Sequence, residues 1–476
     1  MRKFTRLIAT AIAAAGCTAS AGEPVSSKTT PRPVPLTRPE MKELLEDMKQ
    51  RPPRIPLPEL TDEEKDKLGE RGSGYEGRLR YHYLPAGSAG GFGGGGARGA
   101  ASGSRPAGDF TRNSDPAMTL DYPFKTMLFW IVSRTNNCQY CLGHQEWKLA
   151  AAGLTEEQIA ALDSDWLQYT PAQQAAFAYA RKITYEPHKM GDSDIAALRK
   201  FYSEPQILEM TLSVAWNNSI NRWKEGVGVP QSSGNNFRRR DTAGTANERP
   251  HPESFVTATP AKFEKALTTV APLQADGQGQ PSRLAVCSRP ALESRDSVEL
   301  ALEAARKRSS RLPLASEGEA RAALAEAAPA GAIPHVLRLL AVFPNEARRL
   351  AQTLKTADEL TDLTPVLKAQ VSWIIARQDR AWYATGGAYQ KLKDLGQTDD
   401  QIFALDGDWH GFTPAEKSLF TLAKKLAATP VVLTDDDVSD ALQKTGPRSV
   451  VQLITLVTGR AAFDRITEAA GLPLEQ

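Results

Sequence analysis

The chain matches itself. Trp130-Ile-Val-Ser-Arg134 returns as Trp373-Ile-Ile-Ala-Arg377, and Ala161-Leu-Asp-Ser-Asp-Trp166 returns as Ala404-Leu-Asp-Gly-Asp-Trp409. Thr170-Pro171 pairs with Thr413-Pro414, Phe177 with Phe420, Arg222 with Arg465, and Gly228-Val-Pro230 with Gly471-Leu-Pro473. Every pair stands 243 residues apart, the distance from Trp166 to Trp409, so Trp130 to Pro230 aligns without a gap. Upstream, Arg54-Ile-Pro-Leu57 pairs with Arg311-Leu-Pro-Leu314 at a spacing of 257, the distance from Arg54 to Arg311. The change in spacing reflects a Gly-rich insert in the first copy. A repeat of this length reads as one folding unit written twice. What it shares is aromatics, an arginine and helix punctuation, groups that a packed interior does not lose without a large cost.

The unit reads as helical. Phe124 to Ser133 is apolar throughout and should be buried. Thr170-Pro-Ala-Gln173 opens a helix with proline at its first position, and Ile207 to Trp223 gives a further one. Nearer the N-terminus, Glu43 to Met48 is an amphipathic helix fragment, Arg51 to Pro58 an extended Pro-rich link, and Thr61-Asp-Glu-Glu64 a helix start with acidic first-turn residues. No β pattern of useful length occurs. The expected fold class is all-α, with two tandem helical domains.

The two copies differ where chemistry would sit. The first holds Cys138-Gln-Tyr-Cys141-Leu-Gly-His144, and at the same spacing the second has Ala381, Ala384 and Gly387. Asn136 and Asn137 are good N-cap residues, which predicts a helix beginning at or just before Cys138. Three-residue spacing then sets Cys138, Cys141 and His144 about one turn apart, so two sulfurs can pair and an imidazole can carry a proton. A helix start also stabilises an anion, so one thiol is expected to ionise near neutral pH. Thiols and base vanish together in the second copy, as expected of a working unit, and that copy reads as structural.

These residues resemble the carboxymuconolactone decarboxylase-like superfamily, and within it the AhpD-like alkylhydroperoxidases. The resemblance rests on Cys138 to His144, the small-residue helix after it, and Gly153-Leu-Thr-Glu-Glu-Gln-Ile-Ala-Ala-Leu162; it covers about Asp121 to Pro230, and the second half by repetition. It implies that Cys141 is the peroxidatic thiol, Cys138 the resolving thiol and His144 the proton-transfer group. It also implies a peroxiredoxin-type, antioxidant oxidoreductase that takes a hydroperoxide and an external dithiol and needs no cofactor. Family members assemble as dimers, trimers or hexamers, so a homo-oligomer or an internal pseudo-dimer is implied. The family's relay glutamate falls here on Thr126.

Composition bounds the rest. With 58 basic and 56 acidic residues the net charge is +2, which gives no nucleic-acid footprint. Four cysteines, Cys17, Cys138, Cys141 and Cys287, are too few for a disulfide scaffold. Arg2, Lys3 and Arg6 precede an apolar run, Leu7 to Ala15, that is too short to span a bilayer and ends in Ala14-Ala-Gly-Cys17, resembling a bacterial lipobox. Residues 1–21 are therefore expected to be a signal segment, cleaved before a lipidated Cys17, with Ala19-Ser-Ala21 as a rival site. That reading predicts an exported, envelope or periplasmic protein held to a membrane by its lipid. Fractionation would show a Cys17→Ser chain released from membranes or left unprocessed.

Along the chain the expected parts are a tether at 22–38, an AhpD-like domain at 39–235, a linker at 236–289 holding an incidental Cys287, and a degenerate copy at 290–476. Gly90 to Gly96 lacks the lysine and helix of a P-loop and reads as a low-complexity insert. Other readings of the motif are a structural CxxC disulfide in a non-catalytic envelope protein, the superfamily's lyase chemistry, and a zinc site, for which no fourth ligand is evident. Trp130, Trp147, Trp166, Trp216 and Trp223 read as core or interface residues, and His188 as a loop residue. Asn217, Asn218 and Asn221 could line the site or satisfy buried backbone, and Glu146 is a candidate relay acid expected to be exposed.

Overall fold

A computed structural model describes residues 28–85, 113–231 and 258–475, and within them the fold is all-α. The signal segment, Cys17 and the Gly-rich stretch lie outside the described residues. The first half comprises α1 (Arg38–Asp47), α2 (Asp62–Gly72), α3 (Tyr75–Tyr83), α4 (Tyr122–Asn136), α5 (Gln139–Ala151), α6 (Glu156–Ser164), α7 (Pro171–Tyr185), α8 (Asp192–Arg199) and α9 (Glu204–Val227). A two-residue antiparallel hairpin, β1 (Gln274–Ala275) with β2 (Pro281–Ser282), leads into the second half. There follow α10 (Arg295–Lys307), α11 (Glu317–Leu324), α12 (His335–Leu340), α13 (Pro344–Asp358), α14 (Pro365–Asp379), α15 (Trp382–Asp394), α16 (Asp399–Phe403), α17 (Pro414–Ala427) and α18 (Asp435–Ala470).

Helix ends recur at the spacing of the sequence match. α4 and α14 start at Tyr122 and Pro365, α5 and α15 at Gln139 and Trp382, and α7 and α17 at Pro171 and Pro414. The signals are local: Thr170 and Thr413 each close a capping box with Gln173 and Glu416 ahead of a first-position proline. At the other end Gly228 (φ 70°) and Gly471 (φ 60°) terminate α9 and α18 in the left-handed conformation that glycine adopts without penalty.

The halves meet along α9 and the C-terminal limb of α18, the most extensive helix contact in the molecule. Gly226 lies where the helices cross, with Ile454 and Leu426 against the place a side chain would occupy. Two buried arginines reach across reciprocally. Arg222 Nη2 donates to Ala427 O at the end of α17 (3.0 Å), and Arg465 Nη2 donates to Thr184 O near the end of α7 (3.0 Å). A cation at a helix C-terminus is favoured by the exposed carbonyls and by the dipole, so each half supplies the cap of the other.

Three expectations change. Asn136 closes α4, and Asn137, at φ 59°, is its left-handed C-cap, so neither asparagine caps α5. Asparagine serves either end of a helix, and here α4 runs on past Arg134 before it breaks. Of the stretch expected to be a tether, residues 33–37 are packed: Val34 is buried, Pro35 O accepts from Arg134 Nη2 (2.8 Å), and Pro33 O accepts from Asn137 Nδ2 (3.2 Å). Of the stretch expected to be a linker, residues 258–289 lie on the fold, with Thr268 Oγ1 donating to Asp163 Oδ1 at 2.5 Å. Prolines have no amide to satisfy, but their carbonyls are good acceptors for buried Arg and Asn donors.

Candidate functional site

The thiols stand at the break between α4 and α5. Asn137 turns the chain, and Cys138, extended at φ −87° and ψ 91°, becomes the N-cap of α5 with its amide returning to Ser133 O (2.9 Å). Cys141 follows on the first helical turn. Both are free cysteines, 0% and 2% exposed, and they lie in near contact within one buried cluster. They share an apolar cluster with Phe129 of α4 and Ile220 of α9, with Tyr140 packed against it.

One turn beyond Ile220, α9 carries two consecutive charged residues, Lys224 and Glu225. Glu225 is buried; its Oε2 lies 3.4 Å from Arg51 Nη2 and 3.9 Å from Arg32 Nη1. Burial alone would raise the Glu225 carboxyl, but Arg51, Arg32 and Arg54 outweigh it and hold it below its ordinary range. Lys224 pairs with Glu76 of α3 and sits 4.5 Å from the centre of the Tyr140 ring, a cation–π contact. Burial would lower its ammonium, yet Glu76, then Tyr140 and the nearby Cys141, drive it above its ordinary value.

The helix-start expectation of an easily ionised thiol does not hold for Cys138. Burial pushes that thiol well up, and the Cys141 thiol and the Glu225 carboxylate push in the same direction. Desolvation outweighs a helix terminus where no water reaches the sulfur.

His144 lies one turn beyond Cys141, half-buried, its ring stacked on Tyr140 at 5.9 Å with 14° between planes and tilted against Trp147 at 6.2 Å. Thr126 gives its hydroxyl to Tyr122 O of its own helix (2.8 Å). Glu146, expected to be exposed, is buried: Arg38 holds both its oxygens at 2.9 Å and Trp130 Nε1 donates to it at 2.8 Å. It is committed to that cluster. Asn218 and Asn221 accept from Asn136 Nδ2 at 2.9 and 3.0 Å and tie α9 to the end of α4. Trp216 and Trp223 are buried and donate to Glu346 and Glu76. His188 contacts Arg289 Nη1 (3.0 Å) away from the thiols; burial and then that arginine lower its pKa to about 4.

The second half keeps the backbone of the site. Ala381 caps α15 at φ −84° and ψ 90°, after Arg380 in the left-handed region. Glu468, the counterpart of Glu225, accepts from Tyr383 N (3.3 Å) and from both Arg308 Nη atoms (3.0 and 3.1 Å). Thr467 stands where Lys224 would be. A cavity of about 680 Å³ lined by Cys287, Arg289, Glu293 and Trp409 also lies in this half, and neither Cys138 nor Cys141 lines it. Among the described residues no three His, Cys, Asp or Glu side chains are grouped as a metal site would need.

Lys224 and Glu225 had a faint signal in the sequence. Laid against its copy, Trp223-Lys-Glu225 reads Ile466-Thr-Glu468, so the lysine disappears with the thiols and the glutamate does not.

No curated protein sequence matches the chain. Residues 119–182, spanning α4, α5 and α6 and most of α7, match the model of the carboxymuconolactone decarboxylase family. The matched segment is therefore similar to the carboxymuconolactone decarboxylase family, and it contains Cys138, Cys141 and His144.

Proposed function

We propose that the chain is a thiol-dependent peroxidase of the alkylhydroperoxidase-like kind, or a disulfide reductase working through the same pair. The observation that carries this reading is the near contact of two free thiols at one helix start, in the half of the chain whose repeat has alanine at both places. In the proposed cycle the Cys141 thiolate attacks the outer oxygen of a hydroperoxide, breaks the O–O bond and becomes a sulfenic acid, while the departing alkoxide takes a proton and leaves as an alcohol. The Cys138 sulfur then displaces the sulfenic hydroxyl, which leaves as water with the Cys138 proton, and a disulfide results. An external dithiol returns the pair to its reduced form. His144 is the proton carrier in this reading; a positioned acid–base group contributes about a hundredfold or more.

Titrating reduced protein with hydroperoxide, with mass spectrometry of the thiols, tests this. Two thiols should be consumed per peroxide, leaving a Cys138–Cys141 disulfide that a dithiol reopens. Cys138→Ser should stop at a Cys141 sulfenic acid, and His144→Ala should slow the first step by about a hundredfold. A second reading, a structural CxxC disulfide in a non-catalytic envelope protein, is favoured by the burial of both sulfurs. Thiols that stay reduced under excess peroxide, or a disulfide that no dithiol opens, would replace the first reading with the second.

A further inference from the structure

Away from the thiols the two halves treat one groove differently. In the first half an extended segment lies between the stretch before α1 and the ends of α6 and α7. Thr268 N donates to Leu36 O (2.9 Å), the Thr268 hydroxyl to Asp163 Oδ1 (2.5 Å), Thr269 N to Asp163 O (2.8 Å), and Arg181 Nε to Val270 O (2.9 Å). Val270 and Ala271 are buried there. Backbone groups and one hydroxyl carry the recognition, in the manner of a strand added to an edge.

The corresponding groove of the second half is the cavity of about 680 Å³. At the spacing of 243, Asp163 becomes Asp406, Trp166 becomes Trp409 and Arg181 becomes Lys424, and these three counterparts line it. The facing wall matches as well. Arg377 Nη2 donates to Glu293 O (3.0 Å) as Arg134 Nη2 donates to Pro35 O (2.8 Å), so the stretch before α10 stands where the stretch before α1 does. Ala428 takes the place of Tyr185, which widens the space. The volume falls within the range of about 300–1,000 Å³ usual for ligand pockets. Trp409 is held at φ 62°, a left-handed conformation that a bulky residue adopts at a cost and that clusters at ligand sites.

Charge on the walls narrows the occupant. Glu293 is paired with Arg377 and Arg380, Asp406 with Arg377, Arg289 with Asp379, and Lys425 with Asp437. A strongly charged guest would have to break such pairs, whereas a neutral one that hydrogen-bonds would not. Groups to receive it are in place. Each Asp406 oxygen takes one side-chain donor, Trp373 Nε1 at 2.8 Å and Arg377 Nε at 2.9 Å, and a carboxylate oxygen accepts two. Lys424 is exposed and lies 5.5 Å from the centre of the Trp409 ring, where its counterpart Arg181 is the donor to a backbone carbonyl.

We propose that this cavity docks an extended, uncharged peptide segment of a partner protein, held as Thr268 to Ala271 is held in the first half. A Ser or Thr hydroxyl of the partner meets Asp406, its backbone carbonyl two residues on meets Lys424, and small apolar side chains pack against Trp409 and Ala428. The site is separate from the thiol pair and stands independently of the peroxidase reading.

Fluorescence anisotropy of a labelled Ala-Leu-Thr-Thr-Val-Ala peptide, the sequence of residues 266–271 with neutral ends, titrated with the full chain, tests this. Binding should saturate. Lys424→Met, and a peptide with valine for its first threonine, should each weaken it by about tenfold, the loss of one hydrogen bond to a charged group. Thr421→Trp, on the half-buried wall, should fill the cavity and abolish binding. Bound peptide should also slow iodoacetamide labelling of Cys287, which lines the cavity, and leave Cys138 and Cys141 unaffected. The thermal transition of each variant reports an intact fold. No binding at about 1 mM peptide, or binding that Lys424→Met and Thr421→Trp leave unaltered, overturns the proposal. Protection of Cys287 by benzoate in preference to the peptide also overturns it, and makes the cavity a small-molecule site.

Discussion

Asp464 on α18 is a carboxylic acid where the first half has Asn221. Asn221 is bonded on both sides, accepting from Asn136 and donating to Ser133 Oγ (3.1 Å), whereas both oxygens of Asp464 are buried without a hydrogen-bond partner. Burial first, and then the charge of Asp379, raise the Asp464 pKa well above its ordinary value. The sign follows from proton counting. Above about pH 4 the unfolded chain releases this proton and the folded chain keeps it, so stability falls as pH rises until the folded group also ionises, by about 1.4 kcal/mol per pH unit in that window. Asp464→Asn should therefore stabilise the protein at neutral pH and flatten the fall in stability with rising pH in urea unfolding. A variant with the slope of the wild type would refute the assignment. At this same scale the sequence showed the thiols and His144 through their spacing, but Lys224 and Glu225 only as part of a helix pattern. They lie far along the chain from Cys138, and nothing short of packing brings α9 against α5.

Helix ends were largely legible because capping is a local matter. Thr61 and Thr170, with Glu64 and Gln173 three residues on, form the capping boxes their spacing implies. Asn136-Asn137 was ambiguous for a physical reason, since asparagine serves as an N-cap and tolerates the left-handed C-cap about equally well. Helix crossings were not legible. A Cβ at Gly226 would stand 2.8 Å from Ile454 Cγ2 and 3.1 Å from Leu426 Cδ2. A β-branched side chain in a helix has little freedom to turn aside. Overpacking of this kind costs about 1–3 kcal/mol, against about 1 kcal/mol that alanine gains over glycine in a helix. Gly226→Ala is expected to lose about 1 kcal/mol net in chemical denaturation; a gain would mean that α18 yields at the crossing.

The whole molecule is held together by an exchange between its halves. Arg222 and Arg465 cap each other's neighbouring helices, Trp216 of α9 donates to Glu346 of α13 at 2.7 Å, and Arg54 pairs with Asp435 at 2.5 Å. A chain ending at residue 289 would present the apolar length of α9 and an uncapped Arg222 to water. Such a truncation should aggregate or pair with a second copy of itself in sedimentation, because an exposed apolar face of that extent seeks a cover. A monomeric, cooperatively folding product with the full thiol reactivity would show that the second half is dispensable.

The sequence by itself determined the helical class, a self-match at one spacing, most of the helix starts, and the residues of the thiol motif. Each of those depends on neighbours within a few turns or on direct comparison of one stretch with another. Tertiary structure alone decided that both sulfurs are buried, that Glu146 is tied to Arg38, that the proline-rich stretch before α1 is packed, and that Lys224 and Glu225 are tied to Glu76 and Arg51. Burial and electrostatic environment are set by segments remote in the chain, and the same residue gains or loses a proton according to what those segments bring beside it.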